Sequence, residues 1–216
     1  MKIAIIGAGN DGGALGRSWA RVGREIYYGV REPDSDKTRL LLAETGNAAA
    51  AAPMVEAAMS ADVVALATPW NVTASVLASA GNLAGKILIN CTNPLEFAPG
   101  VGLELALGFS DSGAENVARW SPGARVVKAF NTYGCENFAD PHYPNAASLK
   151  PVMCFAGDDR AAKETVAGLA VDIGFEPFDA GGLRAARELE PLALLWIRRA
   201  TSGERRPRFT WARLTR

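Results

Sequence analysis

Apolar residues in this chain fall into short unbroken runs, separated by stretches in which they recur every third or fourth position. The first pattern suits strands buried on both faces, the second amphipathic helices. Strands are predicted at 3–6, 25–29, 62–67, 86–90, 125–129, 151–156 and 176–178, with a short strand or turn in the alanine run 48–52. Helices are predicted at 14–22, 37–44, 54–59, 72–80, 112–120, 160–173 and 183–199. Ser112 and Glu115 have the spacing of a capping box, which marks one helix start. Residues 94–110 are rich in Gly and Pro and show no period, so a long mobile loop is expected there. Strands that alternate with helices predict an α/β fold, a doubly wound parallel sheet covered on both faces, with a small C-terminal helical extension. Such sheets bind ligands beyond the carboxyl ends of their strands.

The first strand runs directly into Gly7-Ala8-Gly9-Asn10-Asp11-Gly12, a G-x-G-x-x-G turn that opens a helix. In that context the pattern is a dinucleotide fingerprint of the Rossmann type. Gly7 permits the tight turn, Gly9 lets a pyrophosphate approach the backbone, and Gly12 lets helix and strand pack closely. The helix N-terminus offers unpaired N–H groups to phosphates. Asp11 is expected to point away from them and to cap the helix. A carboxylate is expected at the end of the second strand to bind the ribose of NAD, but Val30 stands there and Arg31 follows. A guanidinium meets a 2′-phosphate with paired charge-assisted bonds, and Lys37 adds a second cation. The predicted cofactor is therefore NADP(H). Glu32, Asp34 and Asp36 oppose that local positive field, which leaves Arg31 as a plain surface charge the competing reading.

Composition narrows the partners. Lys plus Arg equals Asp plus Glu at 23 each, which argues against nucleic acid as a partner. The arginines from Arg198 onward read as a solvated tail or an oligomer contact. Cys91, Cys135 and Cys154 have neither metal nor disulfide spacing and suit reduced thiols of a cytoplasmic protein. No apolar run approaches the roughly 18 residues of a membrane span. No cluster suggests a metal, a triad or a P-loop.

Beyond the fourth and fifth strands lie Ala67-Thr68-Pro69-Trp70 and Asn90-Cys91-Thr92-Asn93-Pro94, whose Thr68, Asn90 and Asn93 offer polar groups to a nicotinamide or ribose. Trp70 serves equally as a contact to the cofactor or as an ordinary packed aromatic. The segments ATPW, VKAFNTYGCENFADP and FDAGGLRAARELEPLALLWI closely resemble the NADPH-dependent oxidoreductases of the coenzyme F420 family, whose signature also occurs in the cytosolic domain of membrane ferric reductases. The resemblance implies residues 1–157 as an NADP-binding Rossmann domain. It implies residues 158–216 as a small portion packed on that domain and completing an acceptor pocket. It further implies a homodimer, and hydride transfer between the nicotinamide and F420 or a flavin such as FMN. Carried over by motif, Arg31 and Lys37 hold the 2′-phosphate and Ala67, Thr68, Pro69 and Trp70 line the nicotinamide. Ala129, Phe130, Asn131 and Thr132 form the opposite face, and Asp179, Ala180 and Gly181 lie near the acceptor. Val30 replaces a hydroxyl residue often seen beside the arginine.

Hydride transfer between two aligned rings asks little of side chains. A reductase of small imines or carbonyls, the alternative enzyme, needs a proton donor near the nicotinamide. Tyr133 is the first candidate for that role, with Lys128 and His142 behind it. A non-catalytic NADPH-binding sensor is the third reading.

Overall fold

The computed structural model describes residues 1–146, 149–202 and 209–216. In chain order the elements are β1 (Lys2–Ile6), α1 (Asn10–Arg21), β2 (Glu25–Val30), α2 (Asp36–Thr45), β3 (Ala49–Pro53), α3 (Met54–Ser60), β4 (Val63–Leu66), α4 (Trp70–Ala80) and β5 (Ile87–Asn90). There follow β6 (Leu95–Ala98), β7 (Gly102–Leu105), α5 (Gly113–Trp120), β8 (Arg125–Lys128), α6 (Cys135–Ala139), β9 (Val152–Gly157), α7 (Arg160–Asp172), β10 (Glu176–Asp179) and α8 (Ala186–Thr201).

Each apolar run splits by parity between two cores, as the period of two along a strand requires. Ile3, Ile5, Val63, Ala65, Ile87 and Ile89 face one side, where Leu15 and Trp19 of α1 and Leu169 of α7 pack on them. Ala4, Ile6, Val64, Leu66 and Leu88 face the other, under Ala57 of α3, Leu77 of α4 and Val117 of α5. The sheet has eight strands in the order β10-β9-β8-β5-β4-β1-β2-β3. Strands β1 to β5 and β8 run parallel, and the order reverses beside β1, between β2 and β4. That reversal opens a crevice at the carboxyl ends.

Three features differ from the sequence reading. Strand β9 runs antiparallel to β8, and β10 continues parallel to β9, so the expected all-parallel sheet ends in a reversed pair. Residues after 157 therefore add a strand to the same sheet, and the division drawn there coincides with no break in it. The stretch 94–110 is not an irregular loop. It contains the hairpin β6-β7, closed at its base by the Ala106 N–H on the Pro94 carbonyl at 2.7 Å. Both Arg198 nitrogens from α8 hold the Leu103 carbonyl, at 3.1 and 2.8 Å. Half of the predicted capping box forms: Ser112 accepts from the Glu115 N–H and its hydroxyl donates to the Glu115 carboxylate at 2.7 Å, while the Ser112 N–H donates to Asp111 Oδ1 at 2.9 Å.

Candidate functional site

The glycine turn is dictated by space. At Gly7, with φ at +102°, an added Cβ would sit 2.4 Å from the Ala67 carbonyl oxygen. At Gly12 it would sit 2.1 Å from the Gly7 oxygen, so β1 and α1 approach as they do only because both residues lack side chains. At Gly9 the same atom would meet nothing within 4 Å. The third residue of the turn thus faces an open cradle beside the N-terminus of α1. Asp11 does not cap that helix: Gly9 holds the cap position and no side chain bonds it. The Asp11 residue is exposed overall, yet the atoms crowding its carboxyl strip it of water. With repulsion from Glu136, that raises its pKa from 3.8 to about 6.

Gly7, Ala8 and Gly9 open into a cleft of about 660 Å³ at the carboxyl ends of β1, β2 and β4. Thr68 and Pro69 line it on one side, and Val30, Arg31 and Lys37 on the other. Met54, Val72 and Val76 supply an apolar wall. Among the described residues neither Arg31 nor Lys37 makes a salt bridge. Asp36, one of the three nearby acids, is instead paired with Arg39 at 2.5 Å, and Glu32 lines the cleft beside Arg31. Ser35 and Thr38 also line the cleft and were not singled out in the sequence. The signal available for them was an N-cap serine three residues before a threonine at the start of α2, where the Ser35 oxygen accepts from the Thr38 N–H.

A second cluster lies at the ends of β5 and β8. Asn90 is buried, and its Oδ1 accepts from Lys128 Nζ at 3.0 Å and from the Thr92 hydroxyl at 3.1 Å. Asn93 and Asn131 clasp each other: Asn93 Nδ2 donates to the Asn131 carbonyl at 2.8 Å, and Asn131 Nδ2 to Asn93 Oδ1 at 3.0 Å. Asn131 Nδ2 also reaches the Leu189 carbonyl of α8 at 3.2 Å. Phe130 adopts a left-handed backbone, φ 55°, and turns its ring into the core against Trp19 at 5.3 Å. Ala129 is fully buried beside it, and the buried Thr132 hydroxyl has no partner among the described residues. Ala67 packs its backbone under Gly7, while Trp70 lies outside the cleft lining and stacks on Trp120 at 5.4 Å. Of the other expected residues, Asn10 and Gly12 occupy the first turn of α1 without lining the cleft.

The candidate proton donors are scattered over three different surroundings. Tyr133 is buried, stacks on Phe175 and gives its proton to the Val152 carbonyl at 2.7 Å; burial pushes its pKa up to about 12. Its surroundings are those of a structural tyrosine. Lys128, the second candidate, is fully buried. Its ammonium contacts Glu190 Oε1 at 2.9 Å, Asn90 Oδ1 and the Thr92 carbonyl, and burial lowers its pKa. Glu190 in turn accepts from the N–H groups of Gly113 at 2.9 Å and Ala114 at 3.1 Å, at the start of α5. Nothing local in the sequence announces this pair, since 62 residues separate its members. His142 is exposed on a loop. Asp179 and Gly181, expected near the acceptor, close the end of β10 at the sheet edge, where Lys163 pairs with Asp179 at 2.9 Å.

Burial pushes the Cys91 thiol up to about 12 and Cys135 to about 11, so neither is a thiolate near neutral pH. Among the described residues no group of His, Cys, Asp and Glu could hold a metal ion, and no helix is long and apolar enough to cross a membrane. The residues present fit a phosphorylated dinucleotide: a cradle at Gly9 for the pyrophosphate, a helix N-terminus beside it, and two cations on the far side of the cleft.

Comparison with known proteins agrees with that geometry. Residues 2–94 match the family model of coenzyme F420-dependent NADP oxidoreductases. Metalloreductase STEAP3 of Rattus norvegicus is 33% identical over 196 residues, which is 90% of this chain but only 37% of that protein. The chain thus spans little more than a third of that curated relative. A crystal structure from Arthrobacter sp. FB24, provisionally named an F420-dependent NADP-reductase, superposes with a TM-score of 0.83 at 33% identity, covering 92% of both chains. A hypothetical protein from Sinorhizobium meliloti superposes at 0.74 with 27% identity over 100% of this chain and 96% of its own.

Proposed function

The chain belongs to the family of coenzyme F420-dependent NADP oxidoreductases, and from that premise we propose hydride exchange between NADP(H) and a deazaflavin or flavin acceptor. It is an NADP-dependent oxidoreductase; the acceptor is the part proposed. The observation that carries the reading is the cleft in which an open glycine cradle lies opposite two cations that make no salt bridge among the described residues. In this reading Gly7 to Gly9 and the first turn of α1 bind the pyrophosphate through backbone N–H groups, with Arg31 and Lys37 on the 2′-phosphate. Thr68, Asn93 and Asn131 orient the nicotinamide half. When bound, the nicotinamide supplies the hydride.

The choice of a flavin-like acceptor is supported by where the nominated proton donors sit. Two of the three nominated proton donors of an imine or carbonyl reductase are committed elsewhere, Tyr133 to Val152 and Lys128 to Glu190, and the third, His142, is exposed on a loop. Direct transfer between aligned rings asks for orientation and exclusion of water, to which the pair of buried Asn131 and half-buried Asn93 and the α8 contact contribute.

The test is a pair of assays. Fluorescence titration should give tighter binding of NADPH than NADH, with Arg31→Ala weakening NADPH about tenfold or more and NADH little. NADPH oxidation should then be followed with F420, FMN and a cyclic imine. Turnover of the imine alone would overturn the acceptor assignment. Equal losses of both nucleotides on Arg31→Ala would overturn the 2′-phosphate role.

A further inference from the structure

Val30 carries no hydroxyl, yet two hydroxyl residues that follow it, Ser35 and Thr38, line the same cleft. Thr38 is 5% exposed, and its Oγ1 donates to the Glu32 carbonyl at 2.9 Å. A threonine hydroxyl has one proton, and a carbonyl has none to return. The contact between Thr38 Oγ1 and Ser35 Oγ, at 2.9 Å, is therefore made with the Ser35 proton. That leaves the Ser35 hydroxyl as the swivelling donor of the group, on a cleft-lining residue between Arg31 and Lys37. Its oxygen meanwhile caps α2 through the Thr38 N–H at 3.3 Å. The loop 31–35 is held at both ends of this chain of bonds, because the Ser35 N–H also returns to the Glu32 carbonyl at 3.3 Å.

We infer that Ser35 is the specificity-determining hydroxyl of the 2′-phosphate site, donating to the phosphate in place of a residue-30 hydroxyl, and that Thr38 is its positioning residue. The inference rests on the NADP(H) reading of the cleft. An anion between Arg31 and Lys37 draws the Ser35 proton off Thr38 Oγ1 by rotation about one bond. Thr38 keeps its own bond to Glu32, so the loop does not move. The Asp36 carboxylate does not compete for that proton, because Arg39 holds it while also donating to the Asp34 backbone carbonyl.

The test measures dissociation constants of NADPH and NADH for the intact protein by nucleotide fluorescence, with thermal melting of each variant alongside. Ser35→Ala should weaken NADPH about tenfold, the value of one hydrogen bond to a charged group, and change NADH less than twofold. Ser35→Asp keeps a helix cap, since aspartate caps as well as serine. It places a negative charge against the phosphate, so it should weaken NADPH more than Ser35→Ala does while α2 stays capped. Thr38→Val keeps the N–H on the Ser35 oxygen but loses the hydroxyl bond that ties the loop to the Glu32 carbonyl, so it should weaken NADPH selectively. Thr38→Ser keeps that bond and should bind NADPH like the wild type. If Arg31→Ala is selective for NADPH while both Ser35 variants keep the wild-type ratio, the role of Ser35 is refuted and the NADP(H) reading stands. If Arg31→Ala is itself unselective, the reading of the cleft falls and this inference falls with it.

Discussion

Removing the ammonium from the buried pair, Lys128→Met, isolates a carboxylate that is about as enclosed as any group in the molecule: Glu190 is 1% exposed. Losing one member of such a pair ordinarily costs about 3–5 kcal/mol, because the remaining charge is left without its partner. The structure argues for the lower end. Glu190 keeps two backbone donors, at 2.9 and 3.1 Å, and sits at the positive end of the α5 dipole. Glu190→Gln leaves the ammonium with two neutral oxygens, from Asn90 and Thr92, and should likewise cost about 3 kcal/mol. The double variant contains no unpaired charge. Its loss should be about 3–4 kcal/mol, well short of the sum of the singles, a coupling of roughly 2–3 kcal/mol. Urea unfolding of the four proteins reads these values directly, provided the slope with denaturant stays constant. In thermal melting each single should fall by about 6–12 °C. Single losses that simply add in the double variant would refute the pairing, and a Lys128→Met loss below about 1 kcal/mol would refute its burial.

Other outcomes follow from the same geometry. Gly9→Ala should leave the melting temperature nearly unchanged, since the new methyl meets no protein atom. It should still weaken NADPH at least tenfold by filling the cradle. Gly12→Ala should lower stability outright, by about 2 kcal/mol or more, because its methyl overlaps the Gly7 carbonyl; denaturant unfolding separates the two cases. Tyr133→Phe should cost about 1–2 kcal/mol for the orphaned Val152 carbonyl and leave single-turnover hydride transfer unchanged; a large loss of that rate would reinstate the tyrosine as a proton donor. Asp11, raised from 3.8 to about 6, binds more protons folded than unfolded between those values, so its contribution to stability falls as pH rises through that window. Asp11→Asn should flatten the stability profile from pH 4 to 6 and gain most at neutral pH, as urea midpoints at several pH values would show.

The sequence made the strands and most helices legible because local rules and tertiary packing agree there. A run such as Val63–Leu66 is buried on both faces, and nothing competes with that pattern. Legibility failed where one residue answers to a distant one. The hairpin of β6 and β7 was hidden because Pro and Gly outweighed the alternation of Leu103, Glu104 and Leu105, and α8 anchors it from far along the chain. The glycine turn and the two cations of the cleft were readable, being local chemistry at fixed spacing. Ser35 and Thr38 were not, since a helix cap and a ligand hydroxyl look alike until the cleft beside them is seen. The direction of β9 was equally closed to inspection, because a buried apolar strand reads the same both ways.

The pairing of Lys128 with Glu190 also sets a timetable. On a translating ribosome the strand that carries Lys128 is complete 62 residues before its counterion exists. At usual elongation speeds that interval lasts about 3–12 s, long enough for a parallel sheet to collapse many times over. A nascent chain that closes its sheet early must bury a lone ammonium or leave the β8 edge ajar. The C-terminal helix is in that sense the latch of the nucleotide half: only once synthesis has passed residue 190 can the sheet shut over Lys128 with its counterion in place.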